Sequence, residues 1–174
     1  MSFNLKIAKM KRRLGKKTAI IDYFCKRGLI IGKNCNICCS LPEKEAYLIE
    51  IGNNTVISYG VSFVTHDASY GAIINQRYID LYGKIRIGNN CFIGANSIIM
   101  YGVSLGDKTI VAAGAVVTKS FKEGNVVIGG NPAKIICTTD DFLEKNKDLL
   151  IDTKGLNFFE KREKVLSSDK LIRK

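Results

Sequence analysis

The sequence has little of what a metal site needs. It contains a single histidine, His66, no tryptophan, and only one Cys-x-x-Cys pair, formed by Cys35 and Cys38 next to Cys39. Structural zinc sites usually take four Cys or His ligands, often from two such pairs. This set of ligands falls short, so we expect no metal.

Long apolar runs are also absent. No run approaches the roughly 18 residues that a membrane-spanning helix requires. The N-terminal residues are basic, but they lack the apolar block and the small-residue cleavage site of a signal peptide. We therefore expect a cytoplasmic protein whose cysteines are mostly free thiols, because that compartment is reducing.

Acidic residues are scarce at the N-terminus. The 174 residues carry 27 Lys and Arg against 16 Asp and Glu, a net charge of +11. Residues 1–30 hold nine of those basic residues and one acid, Asp22, so +8 of the charge lies there. Nucleic-acid-binding proteins usually spread basic residues along the fold and interleave aromatics. We therefore expect no nucleic-acid partner, and either a basic arm or a site for phosphorylated ligands.

A six-residue repeat runs through the middle of the chain. It opens at Ile51, and it restarts at Ile87, 36 residues later, while an extra stretch near Pro42 shifts the phase of an earlier coil by two. The first position is always a branched aliphatic residue or Phe. The fifth position is small: Cys35, Thr55, Val61, Cys91, Ser97, Val103, Thr109 and Ala115. The fourth is mostly Asn or Gly, which tolerate left-handed backbone angles and so mark corners: Asn34, Asn54, Gly60, Asn90, Asn96, Gly102 and Gly114.

A period of six matches neither the 3.6 of an α-helix nor the 2.0 of a strand. A strand of about four residues followed by a corner predicts a three-sided coil, in which three repeats close one turn of a parallel β-helix. Each turn stacks three aliphatic side chains on the layer below, at roughly 1.5–3 kcal/mol per side chain. The predicted fold class is all-β.

Residues 83–136 resemble a known family most specifically. The strings that carry the resemblance are Gly83-Lys84-Ile85-Arg86-Ile87-Gly88-Asn89-Asn90, Gly114-Ala115-Val116-Val117-Thr118-Lys119 and Gly129-Gly130-Asn131-Pro132-Ala133-Lys134. They are similar to the hexapeptide-repeat acyltransferases, in the branch that acetylates maltose, galactosides and polysaccharides. The resemblance implies a left-handed parallel β-helix, a homotrimer, and acetyl-CoA as the acetyl donor.

His66 is the predicted catalytic base. By the repeat it occupies a fourth position and therefore a corner, and it precedes the longest interruption of the pattern, residues 69–86. A residue that breaks a local rule without a packing benefit is expected at a functional site. A neutral imidazole can take the proton of a sugar hydroxyl as it attacks the acetyl thioester. We expect Asp67, with Asp80 as its rival, to orient the ring.

The resemblance also implies contacts to acetyl-CoA in a groove between subunits. Carried over residue by residue, these positions are Ala95, Ala113, Thr118, Lys119 and Lys134. The backbone near Ala95 would stabilise the tetrahedral oxyanion, and Lys134 would lie near the adenosine phosphates. For the two lysines, ordinary solvated surface is the alternative.

The acceptor half of the resemblance is weaker. Maltose and galactoside acetyltransferases usually carry an aromatic residue and an Asn where this chain has Asn36 and Cys38, and Trp where it has Phe92. The strings Phe63-Val64-Thr65-His66-Asp67 and Tyr78-Ile79-Asp80-Leu81-Tyr82-Gly83 favour enzymes that acetylate capsule or lipopolysaccharide sugars. The candidate acceptor contacts, which are otherwise loop surface, are Tyr70, Asn75, Arg77, Tyr78 and Asp80.

Both ends of the chain predict helices outside the coil. Residues 3–14 form a basic amphipathic pattern, which either packs on the protein or a sister subunit, or lies on an anionic membrane. Near the C-terminus, Phe158 with Val165 and Phe159 with Leu166 indicate a helix that covers the open end or the edge of the coil. We expect a basic arm at 1–30, a coil at 31–136 with its excursion at 69–86, and a helical cap at 137–174.

Together these features predict an O-acetyltransferase that moves acetyl from acetyl-CoA to a hydroxyl of a surface-polysaccharide precursor. N-acetylation of an amino sugar, or acetylation of a small xenobiotic, is the alternative, because the same base would serve either. A β-helical zinc carbonic anhydrase would need several histidines per site. A non-enzymatic β-helical scaffold would have no affinity for coenzyme A.

Overall fold

The computed structural model describes residues 19–172, which form short strands and a few helices. In chain order the strands are β1 (Ile30–Ile31), β2 (Asn36–Ile37), β3 (Ile49–Ile51), β4 (Val56–Ile57), β5 (Ser62–Phe63), β6 (His66–Asp67), β7 (Leu81–Tyr82), β8 (Ile85–Ile87), β9 (Phe92–Ile93), β10 (Ile98–Ile99), β11 (Ser104–Leu105), β12 (Ile110–Val111), β13 (Val116–Val117), β14 (Val126–Gly129) and β15 (Lys134–Thr138). The α-helices are α1 (Ala19–Cys25), α2 (Ser69–Ile73), α3 (Thr139–Asn146) and α4 (Phe158–Leu166), and two 3-10 helices span Ala46–Leu48 and Lys147–Leu149.

The strands stack in three parallel sheets that the chain visits in turn. The first sheet is β1-β3-β8-β11, the second is β2-β4-β9-β12-β14 with β15 added antiparallel, and the third is β5-β10-β13. Ile87 pairs with Leu105, 18 residues later, which confirms three repeats of six per turn. Ile51 pairs with Ile87, 36 residues later, because the chain leaves the coil between β5 and β8. The coil resumes at Ile85, two residues before the predicted restart at Ile87.

First and fifth positions of the repeat fill the interior, as predicted. Fully buried aliphatic residues at first positions include Ile57, Ile93, Ile99, Val111 and Val117. Three buried hydroxyls at fifth positions each donate to a backbone carbonyl: Thr55 to Gly88, Ser97 to Gly94 and Thr109 to Gly106. The interior is therefore apolar, and its few polar groups are satisfied.

The fourth positions form the corners. All seven predicted corner residues have positive φ, between 54° and 78°: Asn34, Asn54, Gly60, Asn90, Asn96, Gly102 and Gly114. Lys108 also has positive φ, at 55°, although Lys is not a residue that the pattern marks. The repeat imposes this backbone conformation even where the residue does not favour it.

The three outer faces differ in polarity. On the first sheet Glu50 accepts hydrogen bonds from Lys84 at 3.1 Å and from Arg86 at 3.0 Å, and the Lys84 bond is the main reason why the pKa of Glu50 is lowered. Among the outward residues of the second and third sheets, Asn36 and Ser62 are polar, but the following are apolar and exposed or half-buried: Val56, Phe92, Ile98, Ile110 and Val116. Apolar faces of this kind are typical of contact surfaces.

Helices adjoin both ends of the coil. Residues 3–14 lie outside the described residues, and α1 packs Tyr23 and Phe24 into the core. At the other end α3 is fixed to the coil, since Thr139 donates to the Lys108 carbonyl at 2.6 Å. In contrast, α4 contains no buried residue, and Phe158 is 73% exposed. Within one chain, α3 contacts strands β14 and β15 of the coil, whereas α4 does not bury any of its residues, so the helical cap at 137–174 stays a prediction.

Candidate functional site

His66 does not lie at a corner, so that part of the prediction is wrong. It belongs to β6, which pairs antiparallel with β7 in a two-stranded ribbon, and His66 lies opposite Tyr82. Phe63 and Thr65 are both buried, so the chain continues as an extended strand beyond the edge of the coil. The extended backbone directs His66 outward at the base of the excursion, with 42% of its side chain exposed.

Two side chains flank the imidazole. The ring of Tyr82 lies 5.6 Å from it, between centroids, at an angle of 35°. Glu45, which precedes the 3-10 helix Ala46–Leu48, brings Oε2 to 3.9 Å from Nδ1. Nδ1 has less than 1 Å² of accessible surface, so the exposed part of the ring lies on its other atoms.

The two carboxylates expected to orient the ring are bonded elsewhere. Asp67 accepts from the Ser69 amide at 2.8 Å and from the Tyr101 hydroxyl at 3.1 Å. These bonds, with Ser69 first, hold the pKa of Asp67 below its ordinary value. Asp80 accepts from the Tyr82 hydroxyl at 3.2 Å. Within the described part of the chain, neither carboxylate forms an ion pair with His66.

Glu45 and Tyr82 are not among the site residues predicted from the sequence. Glu45 lies 21 residues before His66 and belongs to no recognisable motif. The one signal was the extra stretch near Pro42, which interrupts the repeat in the turn that begins at Ile31. Tyr82 was visible only as part of the string 78–83. Its pKa is raised, first by loss of hydration and then by the nearby Asp80 carboxylate.

The excursion forms a cavity of about 450 Å³. Four of the five predicted acceptor contacts line it: Asn75, Arg77, Tyr78 and Asp80. Tyr70, on α2, does not line it and is 57% exposed. Asp80, which lines this cavity, also accepts the hydrogen bond of Tyr82, and the Tyr82 ring lies beside the imidazole. A larger cavity of about 660 Å³ opens at the start of the coil, near Cys38, and none of the predicted site residues lines it.

Side chains seal the corner between the first and second sheets. The side chain at each third position there accepts a hydrogen bond from the backbone amide of the third position in the preceding turn of the coil. Asn53 Oδ1 accepts from Lys33 N, Asn89 Oδ1 from Asn53 N, and Asp107 Oδ1 from Asn89 N, each at 2.8 Å. This ladder occupies the backbone amides of Lys33, Asn53 and Asn89, so these three are not free to bind a ligand.

The corner between the second and third sheets has no such ladder. Its third positions include Ala95 and Ala113, whose side chains cannot accept a hydrogen bond. Among residues 19–172 no acceptor meets the amides of Ala95 and Ala113. These two predicted acetyl-CoA contacts therefore present open donors on one edge of the coil. The other predicted contacts are also exposed: Thr118, Lys119 and Lys134.

Other chemistry is sparse in the described residues. No group of three or more His, Cys, Asp or Glu side chains is arranged to hold a metal ion. All six cysteines are free thiols. None of the helices within residues 19–172 has the length and apolar character needed to cross a membrane.

Comparison with known proteins places these features in a family. A family model described as "Hexapeptide repeat of succinyl-transferase" matches residues 84–119. Protein CapG of Staphylococcus aureus is 41% identical over 93% of this chain and 96% of its own length. Galactoside O-acetyltransferase of Escherichia coli is 33% identical over 64% of the chain, which spans 54% of that enzyme.

Solved structures are similar in fold. A maltose O-acetyltransferase from Clostridium difficile 630 matches with a TM-score of 0.55 and 23% identity, over 78% of this chain and 86% of that one. A galactoside acetyltransferase in complex with coenzyme A has a TM-score of 0.54 and 21% identity, over 83% and 86%. The polysialic acid O-acetyltransferase OatWY has a TM-score of 0.51 and 29% identity, over 63% and 53%. With a relative similar over nearly its whole length and a repeat that matches in sequence and in fold, this chain belongs to the hexapeptide-repeat acetyltransferase family and is an enzyme of that class.

Proposed function

We propose that this enzyme transfers acetyl from acetyl-CoA to a hydroxyl group of a sugar in a surface-polysaccharide precursor, with His66 as the general base. The observation that carries the proposal is the partly exposed imidazole at the base of the excursion. The acceptor cavity belongs to the same excursion, and Asp80, which lines it, accepts from Tyr82, whose ring lies beside the imidazole.

The chemistry needs three contributions from the chain. His66 takes the hydroxyl proton as the oxygen attacks the thioester carbonyl, which contributes on the order of 10²–10⁴ in rate. The Ala95 amide, which has no acceptor within the described residues, donates to the oxyanion of the tetrahedral intermediate. When the carbon–sulfur bond breaks, the imidazolium returns the proton to the departing thiolate, so that free coenzyme A and the acetyl ester result.

Support for acetyl-CoA comes from the structure of a galactoside acetyltransferase with coenzyme A, together with the open edge of this coil. The Ala113 amide and the residues Thr118 and Lys119 would meet the pantetheine arm, and Lys134 would meet the adenosine phosphates. A mobile ammonium group suits a phosphate as a point charge.

Support for a sugar acceptor comes from relatives that are named galactoside and polysialic acid O-acetyltransferases. In this chain Asn75, Arg77, Tyr78 and Asp80 would bind the acceptor in the cavity of the excursion, and Tyr70 would contact it from α2. Asp67 would act indirectly, by fixing the ribbon that carries His66.

We further propose a left-handed parallel β-helix at 31–136 that assembles as a homotrimer in the cytoplasm, where acetyl-CoA is available. The apolar outer residues of the second and third sheets, such as Phe92 at 44% exposure, suit burial between subunits. The basic arm at 1–30 would pack on this trimer or on an anionic membrane. Light scattering should return three times the 19.3 kDa mass of the chain.

The test is release of free coenzyme A, followed by chromatography, with hydroxyl and amine acceptors side by side. We expect turnover with the hydroxyl sugars and a loss of at least 10²-fold in His66→Ala, in line with the contribution of a general base. Stabilisation of His66→Ala by coenzyme A in thermal unfolding should match the wild type, which shows that the donor site is intact. Equal turnover by the variant would remove His66 from the mechanism, and preference for amines would favour N-acetylation.

A further inference from the structure

The Nδ1 atom of His66 is buried and has no hydrogen-bond partner among the described residues. A buried polar atom that stays unpaired costs about 1–3 kcal/mol, so native structures rarely leave one without a reason. With less than 1 Å² of accessible surface, Nδ1 is not reached by bulk water either. The atom therefore needs a hydrogen-bond partner from the protein, which is an acceptor when Nδ1 carries the ring proton.

Glu45 is the acceptor within reach. Its Oε2 lies 3.9 Å from Nδ1, and its side chain is only 16% exposed. The backbone at Glu45 is fixed, because its carbonyl accepts from Leu48 N at 2.9 Å and the next residue, Ala46, is fully buried. The carboxylate therefore approaches the ring from a rigid part of the first coil.

The other charged groups around the ring are already occupied. Asp67 is bonded to Ser69 and Tyr101, and Asp80 is bonded to the hydroxyl of Tyr82. Tyr82 itself covers one face of the imidazole. This leaves Glu45 as the carboxylate that faces Nδ1.

We propose that Glu45 is the positioning residue of His66, a role that rests on the proposed function of His66 as base. The Glu45 carboxylate accepts the Nδ1 proton, so Nε2 is left unprotonated and directed to the acceptor hydroxyl. The gap of 3.9 Å closes to hydrogen-bond length by side-chain rotation when substrate binds, since catalytic hydrogen bonds are often long in free enzymes. After proton transfer the same carboxylate stabilises the imidazolium.

A direct test reads the tautomer of His66. Because the chain has one histidine, a ¹⁵N NMR spectrum of the ring in the full-length, untagged protein contains the signals of this residue alone. We expect the Nδ1-protonated form to dominate in the wild type and in Glu45→Gln, whose amide oxygen still accepts. In Glu45→Ala the balance should shift towards the Nε2-protonated form. A spectrum of Glu45→Ala that is unchanged from the wild type would overturn the proposal.

Kinetics provide the second readout. Both Glu45 variants should lower kcat by roughly 10- to 100-fold with KM for both substrates unchanged, Glu45→Ala because the ring loses its orienting acceptor and Glu45→Gln because the imidazolium loses the carboxylate charge that stabilises it. The matched control is Glu43→Gln, two residues away, whose carboxylate is bonded to Tyr23 and paired with Arg27. It should leave kcat and the tautomer unchanged.

The design separates this proposal from the proposed function. If His66→Ala is inactive while both Glu45 variants keep the wild-type kcat, Glu45 has no positioning role and His66 remains the base. If His66→Ala is fully active, the base assignment fails, whatever the NMR spectrum shows. Glu45→Gln preserves size and shape, so it tests the loss of charge even if Glu45→Ala does not fold.

Discussion

The open corner of the coil leads to a substitution that should stabilise the protein and inactivate it at once. At the sealed corner, Asn89 Oδ1 accepts from the Asn53 amide at 2.8 Å. Ala113 lies one turn of the coil after Ala95, just as Asn89 lies one turn after Asn53, and all four are third positions of the repeat. The fourth positions at both corners have positive φ. In Ala113→Asn the new side-chain oxygen should therefore accept from the Ala95 amide.

The two effects have different sizes. One net hydrogen bond contributes about 0.5–1.5 kcal/mol to stability, which for a chain of this length raises the Tm by about 1–6 °C. An oxyanion donor is worth far more in the transition state. Occupying the Ala95 amide should therefore lower kcat by about 10²–10³-fold.

Thermal unfolding and coenzyme A release measure both quantities on the same samples. Ala113→Leu, similar in size but without an acceptor, should lower activity only as far as bulk obstructs the groove, and it should not raise the Tm. Asn89→Ala is the reverse control: it removes the acceptor of the Asn53 amide and of Asn53 Nδ2, so the Tm should fall while turnover stays normal. A raised Tm with full activity in Ala113→Asn would refute the catalytic use of the Ala95 amide. An unchanged Tm would refute the equivalence of the two corners.

Two further predictions concern the neighbouring cysteines. Burial raises the pKa of Cys39 to about 11, whereas Cys38 is exposed, so iodoacetamide at pH 8 should label Cys38 and spare Cys39 in a peptide mass map of the native protein. Equal labelling of the two would contradict the burial of Cys39. Because the folded pKa of Cys39 lies above the ordinary value of 9.0, its thiol favours folding below pH 9, and that contribution is lost as pH rises towards 11. The Tm of the wild type should therefore fall more steeply between pH 9 and 11 than that of Cys39→Ala, and parallel curves would contradict this origin.

The coil was predictable because its physical demands recur. Each first position must fill the interior and each fourth position must turn left-handed, so the sequence repeats its own signal every six residues. Even Lys108, which the pattern did not mark, follows the conformation of its neighbours. Burial of Ile93 and Ile99 could be read from their positions alone.

The candidate site was only partly predictable, because it lies where the repeat stops. The predicted corner position of His66 was wrong, since a period of six says nothing about a strand that extends beyond the coil. The contact between Glu45 and His66 links residues that are 21 apart in the chain. Glu45 lies in the stretch near Pro42 that interrupts the repeat, so no periodic pattern encodes this contact. The bond from Tyr101 to Asp67 likewise depends on how the excursion folds back over the next turn.

That bond also has a consequence for folding. The repeats of the coil are nearly identical, so a strand that is displaced by one whole repeat would still bury aliphatic side chains almost as well. A link that only one alignment can make breaks this degeneracy. The Tyr101 hydroxyl donates to Asp67, 34 residues earlier in the chain, and a displaced strand would carry the phenol away from this carboxylate. The contact that holds the ribbon under the imidazole therefore also fixes the register of the stacked turns.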